Sequence, residues 1–206
     1  MDKTTQVLNN GMKLNRDLSI SSIRSLEDEK ERRFELSFSS EEPYARWWDT
    51  VEILDHKDSA MDLKRLNEIG VVLYNHDKNK VVGRIIKAWN EDNRGKAVIE
   101  FDTDSDSSLI YDKVKSGTLK GVSVGYVVNS WEEVSAGKKS SDERFVGPCY
   151  IARSWTPFEI SIVSVPADSS VGVGRSIDNK NGICPLSLCE KQIQINNKIM
   201  EVINEY

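Results

Sequence analysis

One serine of the sequence lies between two glycines, in the segment LKGVSVGY of residues 119–126. If this segment is a β-strand, its side chains alternate between two faces, so Ser123 shares a face with Gly121 and Gly125. Since glycine has no side chain, the serine hydroxyl would have free space on both sides, as a nucleophile that approaches a peptide carbonyl requires. A serine packed in a glycine-rich strand would show the same pattern, and Gly-x-Ser-x-Gly alone does not separate the two readings.

A serine nucleophile needs a general base, and the sequence offers only two histidines, His56 and His76. A hydroxyl is a weak nucleophile at neutral pH, whereas imidazole titrates in the range that a base requires. His76 follows the apolar run 71–74, where a strand leaves the core, while His56 lies among charged residues and is expected to be a solvated loop residue. We therefore expect His76 to be the base, with a hydrogen-bonded structural histidine as the alternative at that position.

A carboxylate would complete such a site, because it fixes the imidazole tautomer and stabilises the imidazolium formed during attack. Glu159 lies inside the apolar run 158–165, on the face that also carries Ser161, and a carboxylate there is costly to bury unless it is paired. An edge-strand glutamate that reaches solvent is the alternative for this position. Asp77 is the rival third member, because it adjoins His76 in the chain.

The composition limits the classes of function. The chain of 206 residues is 38% hydrophobic, enough for one core, and its net charge of −5 gives no basic surface for nucleic acid. No apolar run approaches the roughly 18 residues that span a bilayer. Three cysteines, Cys149, Cys184 and Cys189, are too few and too scattered for a disulfide framework, which favours a reducing, intracellular setting. Two histidines and no Cys-x-x-Cys pair argue against a structural zinc site.

The order of elements predicts a folded middle between two polar ends: an N-terminal arm over residues 1–32, a domain over 33–175 and a tail over 176–206. The pattern favours an α+β fold, mainly antiparallel β, as a closed or partly closed barrel flanked by helices. Residues 129–148 are polar and are expected to form a long exposed excursion. The predicted strands cover 33–38, 71–74, 81–86, 97–101, 119–126 and 158–165, and the predicted helices cover 58–70 and 107–116.

Three blocks of the sequence carry a resemblance to a known family. They are YNHD of residues 74–77 followed by Gly83-Arg84, LKGVSVGY of residues 119–126, and FEISIVSVPAD of residues 158–168. In this order and spacing they resemble the prohead maturation serine proteases of tailed bacteriophages, whose fold is similar to that of the herpesvirus assemblin proteases.

Residue by residue, the resemblance covers about 33–175 and implies that His76 is the general base, Ser123 the nucleophile and Glu159 the orienting acid. The family's usual Pro-Ala-Asn stands here as Pro-Ala-Asp at residues 166–168, a departure that leaves these three residues unchanged. The long excursion at 129–148 separates the last two blocks, so the assignment of Glu159 depends on its length more than those of His76 and Ser123 do.

The resemblance implies a serine endopeptidase that acts inside the prohead in the host bacterial cytoplasm. Its expected substrates are the scaffold or the scaffold-like segment of the major capsid protein, and then itself, with no cofactor, metal, nucleic acid or membrane partner. Herpesvirus relatives act as dimers, so a homodimer is compatible with this reading. One alternative is a capsid-assembly or scaffold protein that keeps the β domain without cutting. An esterase of the α/β-hydrolase type is disfavoured, because it would need the serine at a strand-to-helix turn.

Overall fold

In the computed structural model the described residues are 10–18, 23–25, 32–46 and 51–165. All of them lie in the first of the two compact units of the chain, Met1–Val171. The predicted tail 176–206 and the Pro-Ala-Asp positions 166–168 lie outside the described residues.

Ten strands and two helices make up the described part of the chain. Their bounds are β1 Lys13–Leu18, β2 Arg24–Ser25, β3 Arg33–Ser40, β4 Tyr44–Ala45, β5 Val51–Leu54, α1 Lys64–Ile69, β6 Val71–Tyr74, β7 Asp77–Glu91, β8 Arg94–Phe101, α2 Ser105–Lys115, β9 Gly121–Val134 and β10 Cys149–Val163.

The strands form a single sheet in the order β1-β9-β10-β6-β7-β8-β3-β2, with β5 paired to β10 and β4 to β5. Most pairs are antiparallel, but β10 runs parallel to both β5 and β6. The sheet is a strongly curled half-barrel with few helices. The prediction of a mainly β fold is therefore confirmed, whereas a closed barrel is not what the described strands form, since β1 and β2 end the pairing order without pairing to each other.

Alternation along the central strands places the core on one face of the sheet. Val122, Val124 and Tyr126 of β9 are fully buried and belong to the main apolar cluster. They pack with Ile160 and Ile162 of β10, which is the neighbouring strand. Burial of this face fixes the pairing register, because a slip of one residue would exchange the two faces.

The first helix is shorter than the sequence predicts, and the second lies close to its predicted bounds. α1 spans only Lys64–Ile69, where Leu66 is buried and Ile69 is 66% exposed. α2 begins as expected of a capped helix, because the Asp104 carboxylate accepts the first main-chain N–H groups. Its buried side contains Ile110 and Val114, but Leu109 is exposed, because it lies about 100° around the helix from Ile110.

Two segments expected outside the sheet are strands. Residues 13–18 of the predicted arm form β1, because Leu14 and Arg16 turn inward and the strand pairs with β9 along its whole length. The excursion expected at 129–148 is also shorter than predicted, since β9 continues to Val134 and β10 begins at Cys149. These strands contain many polar residues, so the alternation of apolar and polar side chains that indicates a strand is weak in their sequences.

Candidate active site

His76 lies in a two-residue turn between β6 and β7. Asn75 and His76 have positive φ angles of 52° and 59°, and Tyr74 pairs with Asp77 across the turn. Two left-handed residues in a two-residue loop are typical of a type I′ hairpin, and Asn and His accept this conformation more readily than most residues do. The Asn75 amide oxygen also accepts the main-chain N–H of Ser164 at 2.9 Å. The turn is therefore held against the end of β10.

The His76 ring contacts Glu159 of β10 directly. Its Nδ1 lies 2.8 Å from Glu159 Oε1, and the second carboxylate oxygen accepts the Ser161 hydroxyl at 2.7 Å. The Ser161 oxygen in turn accepts the main-chain N–H of His76 at 3.2 Å. Because a carboxylate can only accept, Nδ1 carries a proton, so that Nε2 is the basic nitrogen of the neutral ring.

Ser123 lies on β9, the strand next to the one that carries Glu159, and on the same face of the sheet as that glutamate. In the antiparallel pairing of β9 and β10, Ser123 is opposite Ser161 and Gly125 is opposite Glu159. Opposite residues of such a pair point to one face, with Cα atoms about 4.5–5.5 Å apart. The space beside Gly125 is taken by the glutamate, since a Cβ there would lie 2.4 Å from Glu159 Oε1. Glycine is thus required for the carboxylate to reach the imidazole.

The hydroxyl of Ser123 has a different partner in this structure. It donates to the main-chain carbonyl of Arg16 in β1 at 3.1 Å, and the side chain is fully buried, whereas the sequence predicts free space on both sides of the hydroxyl. The structure therefore brings His76 and Glu159 into contact and places Ser123 on the strand next to Glu159, with its hydroxyl proton directed at β1. Since β9 continues past Ser123 to Val134, the serine is not at a strand-to-helix turn.

His56 is not the solvated loop residue that its charged neighbours suggest. It is 2% exposed, its Nε2 lies 2.8 Å from Ser39 Oγ, and its Nδ1 lies 2.8 Å from the Leu54 carbonyl oxygen. Burial lowers the pKa of His56 to about 4. A buried imidazole that resists protonation is a poor general base, because attack by serine must produce an imidazolium. This second Ser-His pair is therefore better suited to a structural role.

The remaining charged candidates have partners of their own. Asp77, the rival third member, accepts the main-chain N–H of Asn79 at 2.9 Å. Arg84 pairs with Glu100 at 2.6 Å, and Arg153 pairs with Asp55 at 2.6 Å.

In the described part of the chain, no helix has the length and apolar character to cross a bilayer. Three or more His, Cys, Asp or Glu side chains arranged to hold a metal ion are likewise not found among these residues.

Comparison with known proteins relates the chain to tailed phages. A family model described as the caudovirus prohead serine protease matches residues 57–181, more than half of the chain, and this range begins just after His56. The major capsid protein of Halomonas phage phiHAP-1 is 35% identical over 147 residues. That match covers 69% of this chain and 23% of the relative, so the chain spans about a quarter of the relative's length. No solved structure matches the chain.

Proposed function

The chain belongs to the caudovirus prohead serine protease family, and from this premise we propose that it is a serine endopeptidase of capsid maturation. The resemblance seen in the three sequence blocks is thereby confirmed. The proposed substrates are the scaffold or the scaffold-like segment of the major capsid protein, and the chain itself, inside the prohead in the host cytoplasm. Such cleavage would remove internal protein before DNA enters.

The observation that carries the proposal is the 2.8 Å contact between His76 Nδ1 and Glu159 Oε1, in which Glu159 lies on the strand next to that of Ser123. His76 is 25% exposed on its side chain, so its ring can reach solvent and take up a proton, whereas Glu159 is 7% exposed and held in place by Ser161. A partly exposed base oriented by a buried carboxylate is the arrangement that activates a serine.

In the proposed mechanism Ser123 Oγ attacks the scissile carbonyl carbon while His76 Nε2 takes the hydroxyl proton. Glu159 stabilises the imidazolium, which then gives its proton to the leaving amine as the peptide C–N bond breaks. Water hydrolyses the resulting ester with His76 again as base, which restores the free serine. Main-chain donors to the oxyanion are expected as well, and the loss of one such donor costs about 3 kcal/mol in a typical serine protease.

The name of the phage relative favours a second candidate function. Because the relative is a major capsid protein, the matching region could serve capsid assembly without cutting. A non-catalytic assembly protein would also tolerate a Ser123 hydroxyl that is buried and bonded to a main-chain carbonyl. The two candidates share the capsid protein as partner and differ in whether Ser123 reacts.

Co-expression with the major capsid protein separates the two functions. Intact masses are compared for wild type, Ser123→Ala and His76→Ala, with Ser105→Ala as a matched control that removes an exposed serine hydroxyl at the start of α2. We expect shortened capsid protein with wild type and the control, and full-length capsid protein with the other two variants. Unchanged processing in Ser123→Ala would exclude this serine as nucleophile and favour the assembly role.

The second Ser-His pair is tested in the same system. Ser39→Ala removes the hydroxyl that contacts His56, and we expect capsid processing to continue in this variant. A serine-directed fluorophosphonate, mapped by peptide mass, should label Ser123 in both wild type and Ser39→Ala. Label on Ser39 would show that the buried pair is the reactive one.

A further inference from the structure

The strand β1 covers one main-chain edge of β9, the strand that carries Ser123, while β10 covers the other edge. Among the described strands, β9 pairs with β10 on one side and with β1 on the other, where Asp17 is opposite Ser123. The Ser123 side chain is fully buried in this arrangement. An extended peptide that adds to β9 beside Ser123 must therefore take the place of β1, because a sheet edge can hold one strand at a time.

The contact between β1 and the serine also competes with activation. A hydroxyl has one proton, and Ser123 donates it to the Arg16 carbonyl at 3.1 Å. The base needs that same proton to be directed at His76 Nε2. Ser123 therefore cannot donate to β1 and to His76 at the same time, so docking of β1 and activation of the serine exclude each other.

The side chain of Arg16 makes the docked strand costly to hold. It is 1% exposed, and among the described residues its Nε and Nη1 atoms have no hydrogen-bond partner. Its Nη2 donates to the main-chain carbonyl of Glu42, and the guanidinium lies over the ring of Tyr44 with 5.2 Å between its carbon and the ring centre. Buried donors without partners oppose folding of the segment that carries them.

The nearby buried carboxylate already has its own partners. Glu52 is fully buried, accepts Nε and Nη2 of Arg46 at 3.2 Å each, and also accepts the Tyr126 hydroxyl. Arg16 therefore brings a second guanidinium to one carboxylate. Burial lowers the pKa of Arg16 even though the Glu52 charge opposes this, and the positive charge of Arg46 acts in the same direction as burial. An excess buried charge favours release of the strand into water.

We propose that β1 is a reversible intramolecular occupant of the substrate edge of β9, so that Ser123 reacts only when β1 has left. This inference rests on the proposed function of Ser123 as the nucleophile. The ligand class that the vacated edge accepts is an extended peptide segment, bound through its main chain. Reaction rates at Ser123 then scale with the fraction of molecules whose β1 is undocked.

A reversible cross-link between β1 and β9 tests the proposal in the full chain. Lys13 and Val127 are direct partners in the register, and opposite Cα atoms are about 4.5–5.5 Å apart, within the span of a disulfide. Lys13→Cys with Val127→Cys is made in a background where Cys184 and Cys189 are serine. The rate of fluorophosphonate labelling at Ser123 is measured in the oxidised protein and after reduction, with the single Val127→Cys variant as control.

We expect labelling of the oxidised protein to be at least about tenfold slower than that of the reduced protein, with no redox effect in the control. Equal rates in the two redox states would overturn the role of β1 while leaving the proposed nucleophile intact. Absence of label at Ser123 in every state, wild type included, would refute the nucleophile and the strand proposal together.

Substitution of Arg16 gives an independent test of the same proposal. Arg16→Met keeps the length of the side chain and removes the unpaired donors, so β1 should dock more firmly and labelling of Ser123 should slow about threefold or more. Arg94→Met, which removes an exposed arginine of β8, is the matched control and should label at the wild-type rate. Faster or unchanged labelling in Arg16→Met would contradict the proposal.

Discussion

Replacing His56 by glutamine separates the structural histidine from the proposed catalytic one. His56 is buried between Ser39 and the Leu54 carbonyl, and glutamine cannot keep both contacts at the same distances. We expect the variant to lose about 1–3 kcal/mol of stability at pH 7 through the unmade hydrogen bonds. Labelling of Ser123 in the folded variant should stay at the wild-type rate, because the proposed base is His76.

The dependence of the free energy of unfolding on pH gives a quantitative test of the burial of His56. Burial lowers the pKa of His56 from 6.5 to about 4 in the folded protein. The unfolded chain therefore binds a proton first as the pH falls, so this contribution to stability is present above pH 6.5 and is lost as the pH falls toward 4. One pKa unit corresponds to about 1.4 kcal/mol, which gives about 3 kcal/mol in full and about 2 kcal/mol between pH 7 and pH 5.

Urea unfolding at pH 7 and pH 5 measures this quantity in wild type and in His56→Gln. Other groups that titrate, including His76 and the carboxylates, contribute to both proteins and cancel in the difference between them. We expect wild type to lose about 2 kcal/mol more than the variant between the two pH values. An equal loss in both proteins would refute the reasoning, and so would a folded His56→Gln that no longer labels at Ser123.

Three further substitutions test the site and the network around it. Gly125→Ala should reduce cleavage at least about tenfold in a folded protein, because its Cβ would lie 2.4 Å from Glu159 Oε1, the oxygen that contacts His76; unchanged cleavage would contradict the assigned geometry. Glu159→Gln removes the charge that stabilises the imidazolium, and a loss in kcat of about 10²–10⁴-fold is expected, measured against the capsid substrate. Arg153→Met removes a partner of the buried Asp55 carboxylate and should lower the free energy of unfolding by about 2 kcal/mol, whereas no loss in urea unfolding would show that Asp55 keeps enough partners without it.

Alternation alone was enough to predict part of the site. Ser123 and Gly125 share a face because they are two residues apart, and the same rule places Glu159 with Ser161. The glycine was expected to clear space for the serine hydroxyl. In the structure the space beside Gly125 instead admits the Glu159 side chain from the neighbouring strand, a cross-strand relation that depends on pairing register and that no single segment encodes.

The elements that the sequence analysis missed are those whose stability depends on a partner strand. β1 carries three charged residues in KLNRDL and has little apolar area of its own, so its pairing with β9 supplies the hydrogen bonds that make it a strand. His56 was misplaced for a related reason. Its sequence neighbours are charged, but they turn toward other parts of the fold, and Asp55, for example, pairs with Arg153 and Arg144.

The parts of the proposed site are specified at three different levels. The faces of Ser123 and Glu159 follow from strand alternation, and the placement of His76 follows from a turn whose two residues accept positive φ angles. The third level concerns the proton of the Ser123 hydroxyl, which is donated either to the Arg16 carbonyl or, in the proposed active state, to His76. That choice depends on the free energy of docking β1, which balances main-chain pairing against a buried guanidinium. Residue types and spacing can therefore indicate which groups are able to react, while the balance between two arrangements of the fold decides when they do.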